Sequence, residues 1–313
     1  MAARVAEPVE LVTPGDLGDE LASFERHLRR ENVSPNTIST YGIAVRQFGA
    51  FLLEHEYPTD LRAITARHVE EWQIGLLDRW KPATAHNRFR GLQRFFNWYT
   101  EREDGFRSPM VRMRPPRLPE YEPRILTLDE LRAILGACAD KSFEGKRDAA
   151  LIRVFFNLGA RRNEIADLRY SATDRDVDLN GGTVRLFGKG ARERTAHIDD
   201  HTVDALEEYL RARKRHPHAD LPWLWLGKKG RLTDSGIAQA IRTRGEQAGI
   251  AGVHPHELRH AWRHYADKAG LSETDMMTLG GWKSSAMLRR YASTGRTERA
   301  LDAAKRVAVG DVL

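Results

Sequence analysis

Histidine, glutamate and arginine crowd one short stretch, HPHELRHAWRH from His254 to His264, and two chemistries compete for it. HELRH fits the H-E-x-x-H pattern of zinc hydrolases, in which His256 and His260 share a helix face and bind the metal while Glu257 activates water. A site of that kind needs a third ligand. The next histidine, His264, does not fall where the longer H-E-x-x-H-x-x-G-x-x-H pattern requires one, and Arg263 stands in place of its glycine. The next glutamate, Glu273, lies in the cap-like LSETD. Arg259, three residues after His256 on the same helical face, would put a permanent cation beside the metal. No metal and no other cofactor are therefore expected, and the arginine becomes the residue to explain.

Four further motifs give it company. LGARRNEIADL, FGKGARER, HELRH, LGGWKSS and RRYAS follow one another in this order, with Trp282 and Tyr291 nine residues apart. Together they resemble the tyrosine recombinase (phage integrase) family over essentially the whole chain. Cutting a phosphodiester without metal requires protein cations to neutralise a phosphorane-like transition state, and planar arginine forks suit its nonbridging oxygens. The resemblance assigns that role to Arg161 and Arg259, with a salt bridge from Arg161 to Glu164 three residues on as the lesser alternative; Arg162 reads as a surface charge. It makes Lys189, on a glycine-flanked turn, the general acid for the leaving 5′ oxygen, ahead of Lys228 and Lys229 in LGKKGR. His256 is the expected proton acceptor or hydrogen-bond donor, on a helix opened by Pro255 that aims its amides at the anion. His260 is expected on the opposite side of that turn as a packed residue. Trp282 stands where many members carry a second histidine and can donate one indole N–H. That departure leaves proton transfer to His256 and Lys189. Tyr291 is the implied nucleophile, forming a 3′-phosphotyrosine link and freeing a 5′ hydroxyl.

These residues need elements to hold them. Apolar residues recur at helical spacing from Leu21 to Tyr99, as Leu21, Phe24, Leu28; Ile38, Tyr41, Val45, Phe48, Leu52; Val69, Trp72, Leu76, Trp80; and Phe89, Leu92, Phe96, Tyr99, which predicts four amphipathic helices. The five prolines of SPMVRMRPPRLPEYEP forbid helix and predict an extended linker. TLDE, from Thr127, is a capping box opening a helix through Cys138, and a second helix is expected over roughly 146–157. DVDLNGGTVRLFGKGARERTAHI then alternates, with an Asn180-Gly181 turn and the Gly-Lys-Gly turn, predicting a three-stranded antiparallel sheet before helices resume at Thr202. The expected fold is mainly α: an N-terminal helical bundle, a SAM-like core-binding domain, over 15–107; a linker over 108–123; and an α+β catalytic domain of the DNA breaking-rejoining type with a small antiparallel sheet and a C-terminal tail over 124–313.

At 313 residues with 41% hydrophobic and 30% charged residues, one cysteine and no long apolar run, the chain reads as cytoplasmic, without disulfide, signal peptide or membrane span. Its net charge of +6 favours an anionic partner. Double-stranded DNA is that expected partner, clamped between the two domains. Contacts are expected from Asn36 and Thr37 at the start of the second helix and from Lys81, Thr84, Asn87 and Arg88 at the start of the fourth. The resemblance further implies a homotetramer on DNA, with a monomer or weak oligomer in its absence, linked by the tail after Tyr291. The alternatives are type IB topoisomerase-like cleavage and a DNA-binding relative without catalysis.

Overall fold

The computed structural model describes residues 15–119, 123–188, 192–282 and 284–285, and the chain divides into two compact units at Glu120/Tyr121. In the first, α1 (Gly15–Arg30), α2 (Pro35–Glu54), α3 (Ala66–Arg79) and α4 (Pro82–Arg102) follow the apolar periodicity. Proline opens both α2 and α4, where its missing N–H has no helical partner to lose. Ser34 caps α2, its Oγ accepting from Thr37 N. Phe24, Phe48, Phe89, Phe95 and Phe96 are fully buried, with edge-to-face pairs such as Phe24/Phe95 at 5.5 Å and Phe48/Trp72 at 5.3 Å between ring centroids. Gly91 lets α4 approach α2: a Cβ there would lie 2.9 Å from Ala44 Cβ and 3.3 Å from Tyr41 Cα. Further along, Phe96 meets Phe48 at 6.2 Å. The two helices therefore advance in the same direction, with both N-termini at one end of the bundle.

Two expectations for this unit are corrected. Trp80 is not the last residue of a buried stripe; it leaves α3 as an extended C-cap and is 47% exposed, in the break between α3 and the proline-opened α4. The proline segment is not a free spacer along its whole length. Met110 is 1% exposed within the bundle core, Ser108 Oγ accepts from Met110 N, and Pro116 O is hydrogen-bonded to His86 Nδ1 at 2.9 Å. An apolar side chain between prolines can still be buried when turns bring it back onto the helices.

In the second unit α5 (Leu128–Gly136) opens with the reciprocal Thr127–Glu130 box but ends before Cys138, which is buried in the following turn. Helix α6 (Phe143–Leu158) begins a turn earlier than expected because Ser142 caps it by accepting from Gly145 N. After the short α7 (Arg162–Ala166) come β1 (Val177–Asp178), β2 (Thr183–Gly188) and β3 (Arg192–His197), an antiparallel sheet in the order β1-β2-β3. Its register pairs Val177 with Val184 and Arg185 with Thr195, so Val184 and Leu186 enter the core while Phe187 faces out. Asp178 Oδ1 accepts from Asn180 N and Gly181 N, fixing the turn.

After α8 (Asp200–Arg213) the structure has a second, two-stranded sheet that periodicity did not reveal, β4 (Leu226–Gly227) paired with β5 (Gly230–Arg231). Two-residue strands carry too little alternation to be recognised. The buried Arg213 organises the approach to it by donating to the carbonyls of Ala219, Leu221, Trp223 and Leu224. Helices α9 (Asp234–Gln247), α10 (Pro255–Lys268) and α11 (Glu273–Gly280) are the last elements among the described residues of the unit. Among the described residues no helix is long and apolar enough to cross a membrane.

Candidate active site

Helix α6 ends at Gly159 in the left-handed region, φ +54°. That reversal directs the chain into Ala160 and then Arg161, the N-cap of α7. Glu164 reaches back to this cap, accepting from Arg161 N at 2.9 Å and from Arg161 Nη1 at 2.8 Å. Arg161 Nη2 donates to the carbonyl of Gly281, the left-handed cap of α11. The Arg161–Glu164 ion pair weighed from sequence is thus present, and it orients the guanidinium while leaving it about one-third exposed. Burial pushes the Glu164 carboxyl up, but hydrogen bonds from Arg194 and Arg161 and the nearby Arg194 charge outweigh it, holding its pKa below the ordinary value.

On α10, His254 is the N-cap and Pro255 the first residue. His254 Nδ1 accepts from Glu257 N and Glu257 Oε2 accepts from His254 N, both at 3.3 Å. Glu257, the general base of a zinc reading, thus serves the helix start. Arg259 is buried, donates to Gly159 O and lies with its Cζ 3.9 Å from the Trp282 ring centroid. Trp282 in turn stacks on Trp262 at 5.8 Å. Consecutive residues, Gly281 and Trp282, thereby hold the two arginines.

His256 and His260 meet edge to face at 4.4 Å. They share a face of α10, which corrects the expectation of opposite sides: a four-residue step turns a helix only slightly past one full turn. Crowding by protein and then the Arg259 charge push the His256 pKa below its ordinary value, favouring the neutral imidazole that can accept a proton. His260 is buried and pushed down to about 3, first by burial and then by His256 and Arg259. Arg162 pairs with Asp234 at 2.8 Å on the surface, and Lys228 and Lys229 are exposed in the turn between β4 and β5. Lys189 and Tyr291 lie outside the described residues.

The six candidate DNA contacts gather at one end of the first unit, because α2 and α4 run in parallel. Asn36, Lys81 and Asn87 are exposed there, and Thr84 is half-buried. Thr37 is engaged in the α2 cap, its Oγ1 2.8 Å from Ser34 Oγ. Arg88 is half-buried, donates to Thr40 O at 3.4 Å, and has its pKa lowered by burial.

Residues 124–297 match the phage integrase family, and residues 21–105 match its N-terminal SAM-like domain. The chain belongs to the phage integrase family. It is 26% identical to the tyrosine recombinase XerC of Syntrophus aciditrophicus over 292 residues, 88% of this chain and 93% of that one. With the XerC of Roseiflexus castenholzii the identity is 29% over 285 residues, covering 88% of each. The XerH site-specific recombinase bound to palindromic difH shares the fold at a TM-score of 0.71 and 20% identity, over 91% of this chain and 87% of that one. A lambda integrase dimer bound to a COC′ core site gives 0.68 and 17%, over 87% and 76%.

Sequence reasoning missed two residues of this family member's site. Arg194 on β3 donates Nη2 to Glu164 Oε2 at 2.6 Å and Nε to Leu279 O at 2.8 Å. Trp262 packs against both Gly159 and Trp282. Glu164, expected only as a partner for Arg161, holds both Arg161 and Arg194. The RER of FGKGARER was one available signal, since a charged residue that alternates inward with Ala196 needs a buried counterion.

Proposed function

We propose that this chain cuts and rejoins duplex DNA strands through a 3′-phosphotyrosine intermediate, without metal or ATP. It is a tyrosine recombinase, and site-specific DNA recombination is its activity. The observation that carries the catalytic reading is the seating of Arg161 and Arg259 on the adjacent residues Gly281 and Trp282. Two guanidiniums from separate elements are thus preorganised around one place where a phosphate can lose a charge-bearing bond partner and gain another.

In this reading Arg161 and Arg259 neutralise the nonbridging oxygens as negative charge builds, and Trp282 adds its indole N–H. Tyr291 Oη attacks phosphorus, its proton passing to neutral His256, while Lys189 gives a proton to the departing 5′ oxygen. Reversal by a 5′ hydroxyl rejoins the strand and conserves the bond energy. The helix starts of the first unit, with Asn36, Thr37, Lys81, Thr84, Asn87 and Arg88, contact the duplex, the domains being 15–107 and 124–313. The DNA-bound form is a homotetramer joined through the tail after Tyr291, and the free protein, cytoplasmic, is a monomer or weak oligomer. The structures of a lambda integrase tetramer on a Holliday junction and of XerH on difH support DNA-bound assembly by analogy.

The test begins with a pool of nicked random duplexes. Wild-type protein should become covalently attached to DNA 3′ ends, and sequencing of the captured strands identifies the target. Tyr291→Phe should bind the same duplex and form no adduct; an adduct from that variant, or none from wild type, overturns the reading.

A further inference from the structure

We infer that Arg194 is a positioning residue that keeps the Arg161–Glu164 pair net cationic and aimed at the scissile phosphate. The inference rests on the strand-cutting reading above. Glu164 is nearly inaccessible, its side chain 4% exposed, and one carboxylate accepts from Arg161 N, Arg161 Nη1 and Arg194 Nη2. An isolated Arg161–Glu164 pair would be neutral, a poor partner for a phosphorane dianion. With Arg194 the cluster carries one net positive charge, so Glu164 can orient Arg161 without cancelling it.

The geometry also sorts the two arginines. Arg194 is the less exposed, 13% against 37% for Arg161, and its Nε is fixed on Leu279 O at 2.8 Å. Arg161 is therefore the arm presented outward and Arg194 the arm held inside. A Cβ at Gly281, φ +67°, would stand 3.1 Å from both Arg161 Nη1 and Arg194 Cζ, so the guanidiniums pack side by side beneath that cap. Two like charges this close stay together because Glu164 and the carbonyls of Leu279 and Gly281 lie among their donors. Arg194 also ties β3, five residues beyond Lys189 in sequence, to the end of α11 just before Trp282. One side chain thereby couples the placement of β3 to that of the cap that seats Arg161.

The experiment uses full-length protein and the nicked duplex captured above, prepared with either a normal phosphodiester or a methylphosphonate at the scissile position. The methylphosphonate replaces one charged oxygen by a methyl group and so removes the need for one cation. Arg194→Gln should bind the normal duplex like wild type and form the adduct roughly ten- to a hundredfold more slowly, the loss expected for a charge-assisted contact. Arg194→Lys should recover part of the rate. On the methylphosphonate the wild-type to Arg194→Gln rate ratio should shrink toward one. A ratio equal on both substrates, as a general folding defect would give, overturns the inference, as does wild-type speed from Arg194→Gln on the normal duplex. Absence of any wild-type adduct overturns the strand-cutting reading and this inference with it.

Discussion

Gly159→Ala tests whether the arginine site hangs on one helix end. At φ +54° any β-carbon is strained, and here it would also stand 2.2 Å from Trp262 Cε3 and 2.3 Å from Cδ2. The indole cannot swing aside freely, since it is buried and stacked on Trp282. The left-handed backbone costs about 1–2 kcal/mol and the overpacking about 1–3 kcal/mol, together about 2–5 kcal/mol. For a unit of this size each kcal/mol lowers Tm by about 2–4 °C, so the expected loss is roughly 4–20 °C. Gly249→Ala is the control: Gly249 also follows a helix in the left-handed region, φ +75°, but nothing lies within 4 Å of its would-be Cβ, leaving only about 1–2 kcal/mol of backbone strain. Calorimetry of both full-length variants separates the two contributions. Pairing Gly159→Ala with Trp262→Leu should cost less than the sum of the single changes. Because Gly159 O accepts from Arg259, adduct formation should fall further than duplex binding. Equal Tm losses at positions 159 and 249, or strict additivity with Trp262→Leu, would refute the proposed contact.

Three other outcomes are expected. Cleavage should continue in excess EDTA, as measured by adduct yield; loss on chelation with recovery on adding zinc would revive the metal reading of HELRH. His260 stays neutral in the folded chain down to about pH 3, whereas in the unfolded chain it titrates near 6.5. Between those values the unfolded state takes up a proton that the folded state refuses, so stability should fall with pH at up to about 1.4 kcal/mol per unit; urea titrations of His260→Asn should show a shallower slope between pH 6.5 and 4. Met110→Ala should destabilise the first unit by about 2–5 kcal/mol, while Leu118→Ala, at an exposed position, stays within about 0.5 kcal/mol; equal effects would mean that Met110 is not a core residue.

What the sequence determined is local. The helices around Phe24, Phe48, Trp72 and Phe96, the Thr127–Glu130 box and the Asn180-Gly181 turn each depend on residues a few positions apart, so their spacing is legible. Arg259 and Arg161 could also be named from motif order, as could the family. Their partners could not: Arg259 donates to a carbonyl 100 residues away and Arg161 to one 120 away. Carbonyls are common to all residues and leave no mark in the sequence, so only packing selects Gly159 O and Gly281 O. The same reason hides Arg194, whose counterion sits on another element 30 residues earlier, and Met110, whose proline neighbours suggest a spacer while the helices above it supply a core. Tertiary structure decided the contacts because burial, unlike periodicity, is a property of what the rest of the chain brings alongside.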